Sequence, residues 1–205
     1  MATLSARRCS QLGSSLVEMM VGSLLGIVIL GVISSVFLSF QRAAKEKSLE
    51  LHLQQQLSIA LVTLKEDIQR AGYDGGKGFS LKLSGADETI QVSGGTSIGL
   101  AYFREGSREN KDFRSIKYML SGKKLLACEK GVVSKAQVVA LSDISPCASL
   151  FDEDLIEVSH FSMSSAKITD GAIESAVTSI KVSLQTADGA YSETGETSFK
   201  QRNWQ

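Results

Sequence analysis

A single carboxylate stands at the edge of a long apolar segment of this chain. Glu18 precedes a run from Met19 to Gln41 that contains no charged residue. A run of this length can cross a bilayer as a helix, because a helix rises about 1.5 Å per residue and the hydrocarbon core is about 30 Å thick. A carboxylate in lipid costs about 2–3.5 kcal/mol near the centre and less toward the interface. Glu18 is therefore either an interfacial residue or a charge with a specific function.

The residues before Glu18 favour a specific function. Arg7 and Arg8 give a short basic leader, and the apolar run begins only after Gly13. A secretory signal has its apolar stretch before the cleavage site. A lipoprotein signal has an apolar run before its cysteine, whereas Cys9 follows two arginines. The string GSSLVEMMV, residues 13–21, resembles the class III signal of type IV prepilins and pseudopilins.

This resemblance implies two processing steps and a function for the carboxylate. Prepilin peptidase would cut after Gly13 on the cytoplasmic face and methylate the new N-terminal amine of Ser14. Glu18 would then be the fifth mature residue, the glutamate that in this family pairs with the methylated amine of an adjacent subunit. Ser14 stands where the family usually has Phe, and Ser35 stands where major pilins often have Pro. The second difference fits a minor subunit better than a main fibre subunit.

The three cysteines would be divided between compartments by that cleavage. Cys9 lies in the leader, which its two arginines hold on the cytoplasmic side. Cys128 and Cys147 remain as a pair in the exported part, where an oxidising periplasm favours a disulfide over two buried thiols. Closing a loop of that length constrains the unfolded chain by about 3 kcal/mol in the chain-entropy model. A metal site is disfavoured, since the chain has no CxxC motif and neither histidine has a nearby cysteine.

The apolar run continues into an amphipathic pattern without a proline. Apolar residues recur at steps of three and four, which predicts one stripe on a helix: Leu49, Leu53, Leu57, Ala60, Leu61, Leu64 and Ile68. Gly72 supplies a C-terminal stop. The sequence thus predicts one helix from about Ser14 to Ala71, apolar all round in its first half and amphipathic in its second.

Short apolar and β-branched runs follow the helix, and they predict strands. Ile180, Val182 and Leu184 alternate with polar residues, and Asp188-Gly189 between two runs predicts a hairpin. The full set is Phe79–Leu83, Thr89–Val92, Ile98–Phe103, Ser115–Leu120, Lys124–Ala127, Val132–Val139, Leu155–Met163, Val177–Thr186 and Thr197–Trp204. An antiparallel sheet packed on the amphipathic half-helix buries both apolar faces, so the predicted fold class is α+β.

This arrangement resembles minor pilins of the PilW kind and J-type pseudopilins. The segment DIQRAGY, residues 67–73, is similar to the helix end of that family, and the closing residues Gln201–Asn203 also fit. The predicted organisation is a leader over 1–13, a pilin helix over 14–72 with its membrane span at about 16–40, and a periplasmic β-rich domain over 73–205.

Composition and motifs favour a structural protein over an enzyme or a nucleic-acid binder. The formal net charge is zero, and removal of residues 1–13 would leave 20 basic against 22 acidic residues, whereas a nucleic-acid binder is strongly basic. No nucleophile–base motif is present, and the glycine-rich Gly72–Gly78 lacks the phosphate-loop pattern. We predict no cofactor, no metal and no small-molecule substrate. The acidic run Asp152–Asp154 is interpreted as a solvated loop, with a calcium site as the alternative.

Charge is unevenly distributed along the predicted domain. Arg104–Lys135 contains nine basic and four acidic residues, and Leu141–Glu196 contains two basic and ten acidic residues. Either these are scattered solvated charges, or they form opposite surfaces whose fields orient neighbouring subunits.

The sequence therefore predicts a minor type IV pilin that helps prime a fibre from the inner membrane of a Gram-negative envelope. Its expected partners are prepilin peptidase, other minor pilins, the major pilin and the inner membrane. One alternative is a minor pseudopilin of a type II secretion system. An alternative of another class is a signal-anchored periplasmic sensor or binding protein, which explains the apolar run but not the spacing of Gly13 and Glu18. A tethered hydrolase is disfavoured because no nucleophile–base motif is present.

Overall fold

One long helix and eight strands make up the regular structure of the described residues, with three short 3₁₀ turns between strands. The computed structural model describes residues 15–170 and 173–200, without the side chains of residues 167–175. Its contacts divide into two compact units, one ending at Lys47 and one beginning at Ser48. The strands are β1 Ile90–Ser93, β2 Ser97–Phe103, β3 Phe113–Ser121, β4 Lys124–Val132, β5 Cys147–Ser149, β6 Ile156–Asp170, β7 Ile173–Thr186 and β8 Ser192–Lys200.

The helix α1 spans Leu16–Arg70, close to the predicted bounds. Five residues of the predicted stripe are buried: Leu53, Leu57, Ala60, Leu64 and Ile68. The helix ends where predicted, because Gly72 adopts the left-handed backbone (φ 83°) that glycine tolerates best. The Gly72 N–H then donates to the Ala101 carbonyl at 2.9 Å, which ties the helix end to β2.

The strands form two antiparallel sheets rather than the single sheet that the sequence predicted. One sheet has the order β1-β2-β3-β4-β5 and the other has the order β6-β7-β8. Two backbone bonds link the sheets, from the Val158 N–H to the Lys123 carbonyl at 2.8 Å and from the Met163 N–H to the Gly95 carbonyl at 3.1 Å. The α+β class and the packing of the helix on antiparallel strands are confirmed.

The main core lies between the second half of α1 and both sheets. Leu64 and Ile68 pack in one cluster with residues from the first sheet, such as Leu100, and from the second, such as Ile180. Gly195 on β8 permits the close approach of the helix, because a Cβ there would lie 2.6 Å from Leu61 Cδ1. The predicted Asp188-Gly189 hairpin joins β7 to β8, and the Gly189 N–H donates to the Thr186 carbonyl at 2.8 Å.

Two predicted strands were wrong for the same physical reason. Phe79–Leu83 forms no strand, although Leu81 and Leu83 are buried. Val132–Val139 contains only the last residue of β4, followed by a 3₁₀ turn. Both segments lie in a second, smaller cluster, where their apolar side chains are buried by packing rather than by a continuous ladder. Apolar spacing reports burial, and burial does not require strand pairing.

Candidate functional site

The first half of α1 is apolar, with no charged residue from Met19 to Gln41. Its large apolar side chains are exposed, as at Phe40, which is 73% exposed. The hydroxyls in this segment bond back to carbonyls three or four residues earlier, as Ser34 does to Leu30 at 2.8 Å and Ser39 does to Ser35 at 3.0 Å. Such a helix leaves few polar groups unsatisfied in lipid. Length and composition fit a single-pass membrane anchor.

Glu18 lies in the first turn of α1, on this apolar half. A carboxylate is favoured at a helix N-terminus because the backbone N–H groups there carry partial positive charge. Among residues 15–170 and 173–200, the structure shows no ion pair to Glu18. The predicted cleavage residues Gly13 and Ser14 lie outside the described residues. The pairing of Glu18 with a methylated amine stays a prediction.

Three exposed apolar residues form a second stripe on the α1 segment of the domain that begins at Ser48, interrupted by the exposed polar residues Gln55 and Ser58. Leu51, Ile59 and Val62 are each more than half exposed, on the side opposite the buried stripe. A helix that buries one face against its own domain normally presents a polar opposite face. This exposed stripe is suited to packing against another helix.

A disulfide joins Cys128 on β4 to Cys147 on β5, as the sequence predicted from the compartment. The two cysteines are register partners, and β5 contributes only three residues to the ladder. The segment that the bridge closes carries Val138 and Ile144 into the smaller core cluster. The bridge thus anchors a long connection that the short β5 alone would hold weakly.

A half-buried carboxylate joins the end of α1 to the first sheet. The Tyr102 hydroxyl donates to Asp67 Oδ1 at 3.0 Å, and the Tyr118 hydroxyl donates to Oδ2 at 2.6 Å. Burial raises the pKa of Asp67, although the hydrogen bonds and Arg70 oppose that effect. Burial and the Asp67 charge also raise the pKa of both tyrosine hydroxyls, so they remain protonated donors.

The Asp67 cluster borders a cleft of about 310 Å³ between α1 and β2–β4. Its lining includes the acids Glu66 and Glu129 and the cations Arg70 and Arg104, and Arg70 pairs with Glu66 at 3.4 Å. Charges of both signs therefore line it, unlike the single-sign lining of a phosphate or cation site. Among the described residues, no group of three or more His, Cys, Asp or Glu residues could hold a metal ion.

Changing Asp67 is expected to alter the pH dependence of stability. Folding raises the pKa of Asp67. Its contribution to the free energy of unfolding is therefore present below the pKa of the unfolded state, and it is lost as pH rises through the pKa of the folded state. Asp67→Asn keeps the shape without the charge, so its unfolding free energy should fall less than that of the wild type as pH rises toward neutrality. Asp67→Ala should cost about 1–3 kcal/mol, because two buried hydroxyls lose their acceptor.

Denaturant unfolding of the detergent-solubilised full chain, from about pH 4 to about pH 7, measures these differences. Parallel curves for the wild type and Asp67→Asn would contradict the raised pKa.

The unevenly charged segments partly neutralise each other within one subunit. Lys123 Nζ lies 2.8 Å from a Glu157 carboxylate oxygen, and Lys124 pairs with Glu153. Lys123 also lowers the pKa of Glu157 below its ordinary value, by hydrogen bonding first and by its charge. Both ion pairs join the basic segment Arg104–Lys135 to the acidic segment Leu141–Glu196. The electrostatic field that either segment presents to a neighbouring subunit is therefore weaker than its count of charges suggested.

Sequence reasoning missed two carboxylates that organise the domain, Asp67 and Asp74. Asp74 accepts three backbone N–H bonds in the loop after α1. A signal for it was available, because an Asp followed by two glycines is typical of a side-chain-stabilised turn. Asp67 offered a weaker signal, an acid beside the core residue Ile68. The hydroxyls that meet it come from strands 35 and 51 residues away.

Comparison with known families decides the assignment of the domain. The family model described as prepilin peptidase-dependent protein B matches residues 46–200, well over half of the chain. The chain belongs to this family. The match begins after the apolar half of α1, so membership in the prepilin peptidase-dependent protein B family does not rest on the prepilin-like signal. No curated protein and no solved structure matches the chain. The type IV pilin-related assignment thus has two independent supports.

Proposed function

We propose that this member of the prepilin peptidase-dependent protein B family is a minor type IV pilin, with a structural and not a catalytic role. Residues 1–13 are its cytoplasmic leader, cut between Gly13 and Ser14, and the new Ser14 amine is methylated. Residues 14–72 form the pilin helix, with the membrane span at about 16–40. Residues 73–205 form the periplasmic domain.

The observation that carries the proposal is the exposed apolar half of α1 with Glu18 in its first turn. A sensor anchored in lipid needs the apolar surface but has no use for a carboxylate at its edge, which is disfavoured there. A pilin needs both, because its helix leaves the bilayer for a subunit assembly in which Glu18 meets a methylated amine. An unpaired charge in an apolar environment is strongly disfavoured, so pairing would select the register and depth of the incoming subunit.

The exposed stripe of Leu51, Ile59 and Val62 extends this argument into the domain. It offers a neighbouring pilin helix an apolar surface beyond the membrane span. We propose that the protein joins other minor pilins in a complex that primes growth of the major pilin. It would lie just below a tip subunit, because a terminal subunit has no neighbour whose amine needs Glu18.

Of the two alternatives, only the sensor predicts a different chain size. A minor pseudopilin of a type II secretion system would be cleaved at the same site, so its secretion partners would distinguish it from a pilin. A signal-anchored periplasmic sensor would keep its leader. Expression in cells with and without prepilin peptidase therefore tests the proposal, and a size independent of the peptidase would favour the sensor.

A further inference from the structure

The loop after α1 presents an aromatic ring to solvent on a fixed backbone. Phe79 is 72% exposed. Beneath it, the buried carboxylate of Asp74 accepts hydrogen bonds from the N–H groups of Gly76, Lys77 and Phe79, at 3.1, 2.9 and 2.8 Å. Burial alone would raise the pKa of Asp74, but these three bonds lower it below its ordinary value. The ionised carboxylate thus holds the loop in one conformation.

Both ends of the loop are tied to the rest of the domain. The Phe103 N–H donates to the Tyr73 carbonyl at 2.7 Å, and the Leu81 N–H donates to the Gly72 carbonyl at 2.9 Å. Gly75 lies against the Phe103 ring, where a Cβ would be 3.0 Å from the nearest ring atom. Phe79 is therefore exposed on a well-anchored loop.

One lysine contacts the exposed ring, and a second lies on the same loop. The Lys135 ammonium lies 5.5 Å from the centroid of the Phe79 ring, within cation–π range, and Lys77 is exposed two residues before it. The Asp74 carboxylate of the same loop is buried and occupied by backbone N–H groups. The surface around Phe79 therefore offers an apolar ring with a cationic rim. An acidic partner with an apolar pocket is complementary to it.

We propose that Phe79, with Lys77 and Lys135, is a docking point for another pilin-class subunit that supplies an apolar pocket bordered by carboxylates. This inference rests on the proposed function. A rigidly held aromatic anchor is typical of interface hot spots, because little conformational entropy is lost when it binds. The bilayer is the less suitable occupant, because the loop follows the C-terminal end of α1, and Ser48–Arg70 alone extends about 34 Å along the helix axis.

Site-specific photocrosslinking in the envelope tests this inference on the full chain. Phe79→p-benzoylphenylalanine keeps an aromatic ring at the anchor, and the same residue at Leu155, which is 49% exposed on another loop, is the matched control. We expect an adduct at position 79 that contains peptides of a second protein with a prepilin-type signal. The yield should fall about tenfold when Lys77→Glu and Lys135→Glu are added, since like charges would then face each other. Lys181→Glu, on an exposed strand position, should leave it unchanged.

Four outcomes would overturn the inference: an adduct at 79 no stronger than at 155, an adduct with lipid alone, an adduct with a protein that has no prepilin-type signal, or a yield insensitive to the two charge reversals. If the chain is cut by prepilin peptidase and position 79 gives no specific adduct, only the docking point is wrong. If the chain is not cut, the proposed function itself is wrong.

Discussion

Glu18→Gln is expected to leave membrane insertion and cleavage intact and to reduce co-purification of other minor pilins at least about tenfold. The substitution removes a charge from the edge of an apolar helix, so insertion becomes no harder. In the proposed assembly, it would leave the methylated amine of the neighbouring subunit without its counter-ion. Removing one partner of a buried ion pair typically costs about 3–5 kcal/mol, and each 1.4 kcal/mol is a factor of about ten in binding.

The assay compares tagged wild type and Glu18→Gln at equal membrane levels. Val21→Ala is the matched control, because Val21 is an exposed apolar residue of the same segment and carries no charge. We expect the control to behave like the wild type. If Glu18→Gln recovers as much of the other pilins as the wild type does, Glu18 is only an interfacial residue.

Loss of the disulfide is expected to destabilise the domain by about 3 kcal/mol, as the chain-entropy model gives for a loop of this length. For a chain of this size, that corresponds to a fall of about 6–12 °C in melting temperature. The variant is Cys128→Ser combined with Cys147→Ser. Between β4 and β5 the closed segment forms no strand, and β5 holds its far end with only three residues, so little else replaces the bridge there. Val138 and Ile144 should become exposed first when the bridge is absent.

Ala148→Ser, at an exposed position of β5 beside the bridge, is the control for the substitution itself. Thermal melts of the three proteins made in the periplasm, with non-reducing peptide maps of the wild type, give the comparison. Two freely alkylated thiols in the native wild type would contradict the bridge.

The helix and its core face could be predicted from the sequence because helical periodicity is local. Leu53, Leu57 and Leu64 repeat on one face, and a sheet of the same chain covers them. The hairpin at Asp188-Gly189 was predictable for the same reason, since its turn signal is local, although the connection from Thr186 to Ser192 is longer than a two-residue loop. The division of the strands into two sheets was not, because strand order depends on contacts between distant residues.

The buried polar contacts were also beyond a reading of the sequence. Strand alternation indicates that Tyr102 and Tyr118 point inward, but it does not reveal that both meet Asp67. Likewise, the turn chemistry at Asp74 predicts a tight loop but not that Phe79 will be left exposed. Such positions depend on how the helix end is fixed to the sheet, which only the assembled fold determines.

Intact-mass measurement of the chain, expressed with and without prepilin peptidase, tests the pilin assignment most directly. With the peptidase present, we expect the loss of residues 1–13 and the addition of one methyl group to the Ser14 amine. Without it, and in a Gly13→Leu variant with it, the full chain should remain. An N-terminus unchanged by the peptidase would contradict the assignment, and with it the functions proposed for Glu18 and for the docking point at Phe79.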